Sequence, residues 1–338
     1  MHLGRTLLLV VSLCALGRGQ SADRYLRRPD DWFKGEEGAR IAANILSWQA
    51  PGGSWPKNLS TTRAPFTGDP NTLEGTFDNN ATVGELRFLA RAFTATRDKR
   101  DEQAFLKGFG LILQAQYPTG GWPQFYPPGK GYPRYITFND GAMVRLMEFL
   151  RDVAAMDDYA FVAPDLRRSA RAAFDRGIRC ILECQVRVDG KPTVWCAQHD
   201  EKDYQPRGAR TFELVSLSGS ESVGVLKLLM DLDDPSPEVV TAIRSGAAWF
   251  ASVKIEGLRQ RWDHGNKVMV ADPNAPALWA RFYEIGTNRP FFSGRDGVKK
   301  YDVAEIEAER RNGYAWYGTW GRDVAAAFDR WCSQHPGR

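Results

Sequence analysis

An internal repeat constrains this chain more than any other feature. Gln49-Ala-Pro-Gly-Gly-Ser-Trp-Pro56 recurs as Gln116-Tyr-Pro-Thr-Gly-Gly-Trp-Pro123, and a degraded third copy runs from Gln185 through Asp189-Gly190 to Trp195. A segment with helical spacing precedes each Gln, over 39–48, 105–115 and 170–183. A second follows each loop, over 77–93, 137–150 and 218–230. Leu86, Leu89, Ala90 and Phe93 share one helical face, as do Met143, Leu146, Met147 and Leu150. Thr76, Thr137 and Ser218 stand where N-caps belong, and Ser218 with Glu221 has capping-box spacing. Further helices are predicted over 237–252 and 323–332. Helical hairpins repeated in this way bury their apolar faces only by stacking on one another. The fold class expected is therefore all-α, either a solenoid or a closed α/α toroid. Long loops over 51–76, 118–137, 187–216 and 258–320 are of the kind that carries function. The repeat places its loops and second-helix N-termini at one end, where Asp78, Asn79, Asn139, Asp140, Ser220 and Glu221 collect.

Residues 1–19 read as a signal peptide. His2 and Arg5 give a polar start, Thr6 to Leu16 an apolar core, and Gly17-Arg18-Gly19 a cleavage site before Gln20. Residues 20–338 then form one secreted domain, periplasmic or extracellular. No later segment is long and apolar enough to span a bilayer, so no membrane contact is expected after cleavage. The formal charge of +4 comes without a basic run, which argues against nucleic-acid binding. Cys180, Cys184, Cys196 and Cys332 remain in the mature chain, an even count that permits disulfides without fixing their pairing. Aromatic residues reach 12%, with 11 Trp. Indole faces suit sugar rings, although a buried structural role is the commoner fate of any one Trp.

Asp78 and Asp140 occupy nearly equivalent places in the first two repeats. Such carboxylates can act as an acid/base pair, bind a hard cation, or cap their own helices. Asn79 and Asn139 add amide oxygens, which suit Ca²⁺ better than proton transfer. Arg207, Arg210, Arg281, Arg289 and Arg295 lie in Gly-rich, aromatic loops. Guanidinium groups there suit bidentate recognition of carboxylates. Lys57-Asn58 adds a cation and an amide beside the first Trp-Pro. His199-Asp200 is a weak catalytic signal, because adjacent residues rarely face one another. No nucleophile elbow, P-loop or dinucleotide fingerprint is present.

These motifs together resemble the polysaccharide lyase family 10 pectate lyases. The resemblance covers essentially the whole mature chain. It is carried by Gly53-Ser-Trp-Pro-Lys-Asn58, Thr76-Phe-Asp-Asn-Asn-Ala-Thr82, Gln116 to Pro123, Ile136-Thr-Phe-Asn-Asp140, Thr193 to Asp200, Gly208-Ala-Arg210 with Ser216 to Glu221, Trp279-Ala-Arg-Phe-Tyr283 and Gly313-Tyr-Ala-Trp-Tyr317. It implies an incomplete (α/α) toroid, or barrel, with a cleft at one end. It also implies a monomer that cleaves de-esterified polygalacturonate by Ca²⁺-dependent β-elimination. Asp78, Asp140 and Asn79 would form the calcium site, with Asp78 also at the reaction centre. Arg210 would be the base, Arg281 and Arg295 would hold substrate carboxylates, and Lys57 and Asn58 would bind substrate. Arg207 competes with Arg210 for the base role. Two alternatives stand beside this reading: a glycoside hydrolase using Asp78, Asp140 or Glu221, and a non-catalytic uronate-binding protein.

Overall fold

The structure, a computed structural model, describes residues 22–337. The leader expected over 1–19 lies outside the described residues. The helices are α1 (Asp30–Lys34), α2 (Glu36–Ser47), α3 (Val83–Thr96), α4 (Lys99–Ala115), α5 (Ala142–Ala155), α6 (Pro164–Cys184), α7 (Glu221–Met230), α8 (Pro237–Ser252), α9 (Ala308–Gly313) and α10 (Trp320–Gln334). Local chemistry starts several of them. Asp98 accepts the Arg100 N–H at the head of α4, and Ser236 caps α8 with Pro237 following at its first position.

The helices pack in two rows. In one, α2, α4, α6 and α8 touch in series; in the other, α3, α5, α7 and α10 do. One large apolar core runs between them. The loop motif explains the spacing. Trp55, Trp122 and Trp195 are buried, and each indole N–H donates to a carbonyl of the preceding helix, at Ile45, Ile112 and Ile181 (2.7–2.8 Å). Trp279 does the same to Phe250, a fourth copy that its sequence does not announce. Gln49, Gln116 and Gln185 each donate to their own loop and to the next first-row helix, at Ala104, Ala173 and Ala242 (2.9, 2.8 and 3.1 Å). The repeat is thus a bolt joining successive hairpins. The Gly-Gly-Ser-Trp variant keeps its register: Gly53 and Gly120 hold matching positive φ values of 107° and 95°, as only glycine does readily.

The all-α expectation, and the toroid built on it, is overturned. The chain is about 48% helical and 13% strand, the strand lying in several small sheets. The long loops pass close to the core, where buried backbone N–H and C=O groups need partners. They find them in short ladders: Ile136–Thr137 with Gln198–His199 and Pro206–Arg207, and Leu217–Ser218 with Phe282–Tyr283, Pro290–Ser293 and Lys299–Lys300. The second ladder encloses a separate aromatic core of Phe282, Phe291, Phe292 and Trp316. The N-cap assignments also change. Thr76 and Thr137 lead into 3-10 turns, and α3 and α5 begin only at Val83 and Ala142. The described cysteines, Cys180, Cys184, Cys196 and Cys332, are all thiols. No helix among the described residues is long and apolar enough to cross a membrane.

Candidate active site

The second-helix N-termini converge. The 3-10 turns Asp78–Asn80 and Asn139–Gly141 touch each other, and the second also touches α7. Their backbones fix an offset. Thr76 and Thr137 make the same bond to the preceding Trp carbonyl, at 2.9 and 3.1 Å, so Asp78 corresponds to Asn139 and Asn79 to Asp140. Asn79 and Asp140 share left-handed φ values of 52° and 50°, which Asn and Asp tolerate better than most residues. The carboxylates are therefore one position apart in the repeat, with different surroundings. Asp78 is buried at 2% exposure. Its Oδ2 accepts from Lys57 Nζ (2.5 Å) and Gln124 Nε2 (2.7 Å), while its Oδ1 is buried without a hydrogen-bond partner. Asp140 has a half-open side chain. Burial raises its proton affinity, partly offset by Arg281 and reinforced by Glu221 and Asp78.

Arg281 links this acidic group to a basic one. It lies between two strand pairings, and its backbone is fixed by Trp316 O and the Gly219 N–H (2.8 and 2.9 Å). Its buried guanidinium donates to Glu221 and reaches Asp140 Oδ1 at 3.5 Å. Burial opposes the charge on Arg281, but Glu221, Tyr314 and Asp140 outweigh it and hold the guanidinium protonated. The Arg281 guanidinium lies 4.7 Å from the centroid of the Tyr314 ring, and that of Arg210 lies 5.9 Å from the same ring. Phe212 is approached by three guanidiniums, Arg210 at 4.8 Å, Arg295 at 5.4 Å and Arg310 at 4.7 Å.

Arg210 is half-exposed. A turn closed by Ala209 N–H to Glu213 O and Glu213 N–H to Arg210 O (2.9 and 2.7 Å) sets it beside Glu213. Its Nε donates to Glu213 Oε2 at 2.7 Å and its Nη2 to Oε1. That pairing is the largest influence on Arg210 and raises its proton affinity above the ordinary value. Tyr314 completes the group by donating to Glu213 Oε1 at 2.8 Å.

Comparison with known families decides what this site belongs to. The description of pectic acid lyases matches residues 49–325. The chain belongs to the pectic acid lyase family. Two solved structures agree. A family 10 polysaccharide lyase from Cellvibrio cellulosa is 37% identical, with 92% of this chain aligned to 96% of that one and a TM-score of 0.80. A mutant family 10 polysaccharide lyase from Cellvibrio cellulosa, in complex with trigalacturonic acid, is 36% identical over 91% of this chain and 95% of that one, also with a TM-score of 0.80. No curated protein matches the chain. This pectic acid lyase is an enzyme, a polysaccharide lyase.

Within the lyase, Asp78, Asn79, Asp140, Arg210, Arg281, Lys57 and Asn58 fall in one region. Lys57 is held by Asp78, and Asn58 accepts from Asn79 Nδ2 at 3.0 Å. Arg295 joins through Phe212 and pairs with Glu309 at 3.2 Å. Other candidates are tied elsewhere. Arg207 is spent on Asp200 and Asp203 (3.0 and 3.2 Å). His199 is fully buried; it accepts the Cys196 N–H (3.0 Å), sits 2.7 Å from Tyr204 O, and is pushed down to about 4 by burial. It is a structural pin. Glu221, an acid in the hydrolase alternative, is locked by Arg281 and Ser218. Sequence reasoning missed Gln124, Phe212, Glu213, Arg310 and Tyr314. Glu213, three residues beyond Arg210, was the one with a local signal.

Proposed function

We propose that this lyase cleaves de-esterified polygalacturonate by calcium-dependent β-elimination. The observation that carries the reading is the Arg281 bridge, which joins paired carboxylates on one side to an aromatic-backed arginine cluster on the other. A polyanionic sugar chain needs both: cation-mediated contact with the acidic half and direct ion pairing with the basic half. The trigalacturonic acid held by the similar lyase has the same chemistry.

The acidic half fits a hard cation. Asp78, Asp140 and Asn79 offer oxygen donors, and the buried Asp78 Oδ1 lacks any other partner. No three His, Cys, Asp or Glu side chains among the described residues are grouped closely enough to hold a metal by themselves, so a cation held by Asp78 and Asp140 would need further oxygen donors, of which the Asn79 amide is one. When bound there, Ca²⁺ would supply positive charge that neutralises a uronate carboxylate, acidifies the carbon beside it and disfavours the protonated form of nearby guanidiniums.

Arg281 and Arg295 hold substrate carboxylates, with Lys57 and Asn58 contacting a flanking sugar. Arg210 takes the proton from the carbon next to the carboxylate. The electron pair left behind forms a carbon–carbon double bond as the glycosidic carbon–oxygen bond breaks, and the departing oxygen takes a proton from water. Glu213 keeps Arg210 charged in the resting enzyme, so Arg210 becomes a base only when it turns from Glu213 toward substrate. Export, as expected from the leader pattern, would bring the enzyme to its polymer.

Metal removal tests the reading. Chelator is expected to reduce turnover of polygalacturonate to background, with excess Ca²⁺ restoring it. Full turnover in chelator would refute the calcium role.

A further inference from the structure

The repeat tryptophans are bolted into the core, but Trp262 is 61% exposed. It stands near the tip of a hairpin, Leu258–Asp263 paired with Asn266–Ala271, directly opposite Lys267. His264 and Gly265 close the turn with φ values of 44° and 77°, which suits a tight two-residue connection. Cross-strand partners share a face, and Lys267 Nζ lies 5.7 Å from the indole centroid.

The surroundings anchor the Lys267 strand and the turn. The Lys267 N–H donates to Asn312 Oδ1 at 2.8 Å. Asn312 Nδ2 donates to Gly265 O and Asn266 Oδ1, both at 3.2 Å, and Arg311 donates to Asn266 Oδ1 at 3.2 Å. Met269 packs on the aromatic core. Lys267 Nζ donates to Tyr314 O at 3.1 Å, and Tyr314 is the ring beneath Arg210 and Arg281. Lys267 makes no ion pair among the described residues.

We propose that Trp262 and Lys267 form a distal uronate subsite on the arginine side of the cleft. The indole face stacks on a pyranose ring while the ammonium takes that ring's carboxylate. An exposed indole beside an unmatched cation is suited to an anionic sugar, since it supplies apolar area for the ring face and charge for the carboxylate. The subsite rests on polygalacturonate being the substrate. It binds a residue some way along the polymer from the bond that breaks, so it affects long chains and spares short ones.

The test compares kcat/KM on long polygalacturonate and on the shortest galacturonate oligomer that the wild type cleaves. Trp262→Ala is expected to lose about five- to ten-fold on the polymer, leave the short oligomer unchanged and keep the wild-type Tm. Lys267→Met is expected to show the same selective loss, and Trp262→Phe to retain part of the polymer advantage. An active wild type whose Trp262→Ala variant is unaffected, or equally impaired on both substrates, overturns the subsite alone. A wild type that neither binds nor cleaves the polymer overturns the substrate reading and the subsite with it.

Discussion

Arg281→Ala is expected to cut turnover by a factor of about 10²–10³ and to destabilise the fold at the same time. Arg281 is 7% exposed, and its guanidinium contacts Glu221, itself 6% exposed, together with Asp140 and the Tyr314 ring. Removing one partner of a buried ion pair leaves the other charge without compensation, a loss of about 3–5 kcal/mol. In a chain of this size that lowers Tm by roughly 4–8 °C. Loss of a positioned cation at a developing negative charge costs a further factor of about 10²–10³ in rate. Arg281→Lys should recover part of the stability and little of the activity, because a flexible ammonium does not reproduce the planar guanidinium whose Nη2 contacts both Glu221 and Asp140. Thermal melts and initial rates on the same preparations separate the two effects. Wild-type Tm and activity in Arg281→Ala would remove the bridge from the account.

Arg210→Ala is expected to reduce kcat by about 10³ with a much smaller effect on substrate binding. Half of this side chain is open to solvent, so little packing is lost. Its partner Glu213 is another matter. Burial pushes that carboxyl up, and only its bonds to Arg210 and Tyr314 hold it below the ordinary value. Without Arg210 the buried carboxylate is under-compensated, and the variant should lose about 1–2 kcal/mol at neutral pH. Adding Glu213→Gln removes the charge and should restore the melting temperature without restoring turnover. That split distinguishes a chemical role for Arg210 from a structural one. Near-normal kcat in Arg210→Ala would place the base elsewhere.

The parts of this structure that depend on short-range pattern were readable from the chain. α8 spans the 237–252 predicted for it, because Ser236-Pro237 marks its start and apolar spacing carries it through. The Gln and Trp bolts were visible as a repeat. The fourth bolt at Trp279 was not, because it lacks the Gln and the paired glycines around it. The ladders around the cleft escaped notice because most of their strands are two residues long and show no alternation. The offset between Asp78 and Asp140 was hidden by Phe77-Asp-Asn and Phe138-Asn-Asp, which differ only in order; backbone bonds from Thr76 and Thr137 are needed to align them. Glu213 and Tyr314 meet across 101 residues of chain, and local spacing carries no trace of such a pairing.

The most direct test of β-elimination is product chemistry: the ultraviolet absorbance of unsaturated uronides measured against new reducing ends as polygalacturonate is consumed. One double bond is expected for every chain cut, the two signals rising together from the first time point. New reducing ends without that absorbance would mean hydrolysis by the carboxylates and would contradict β-elimination.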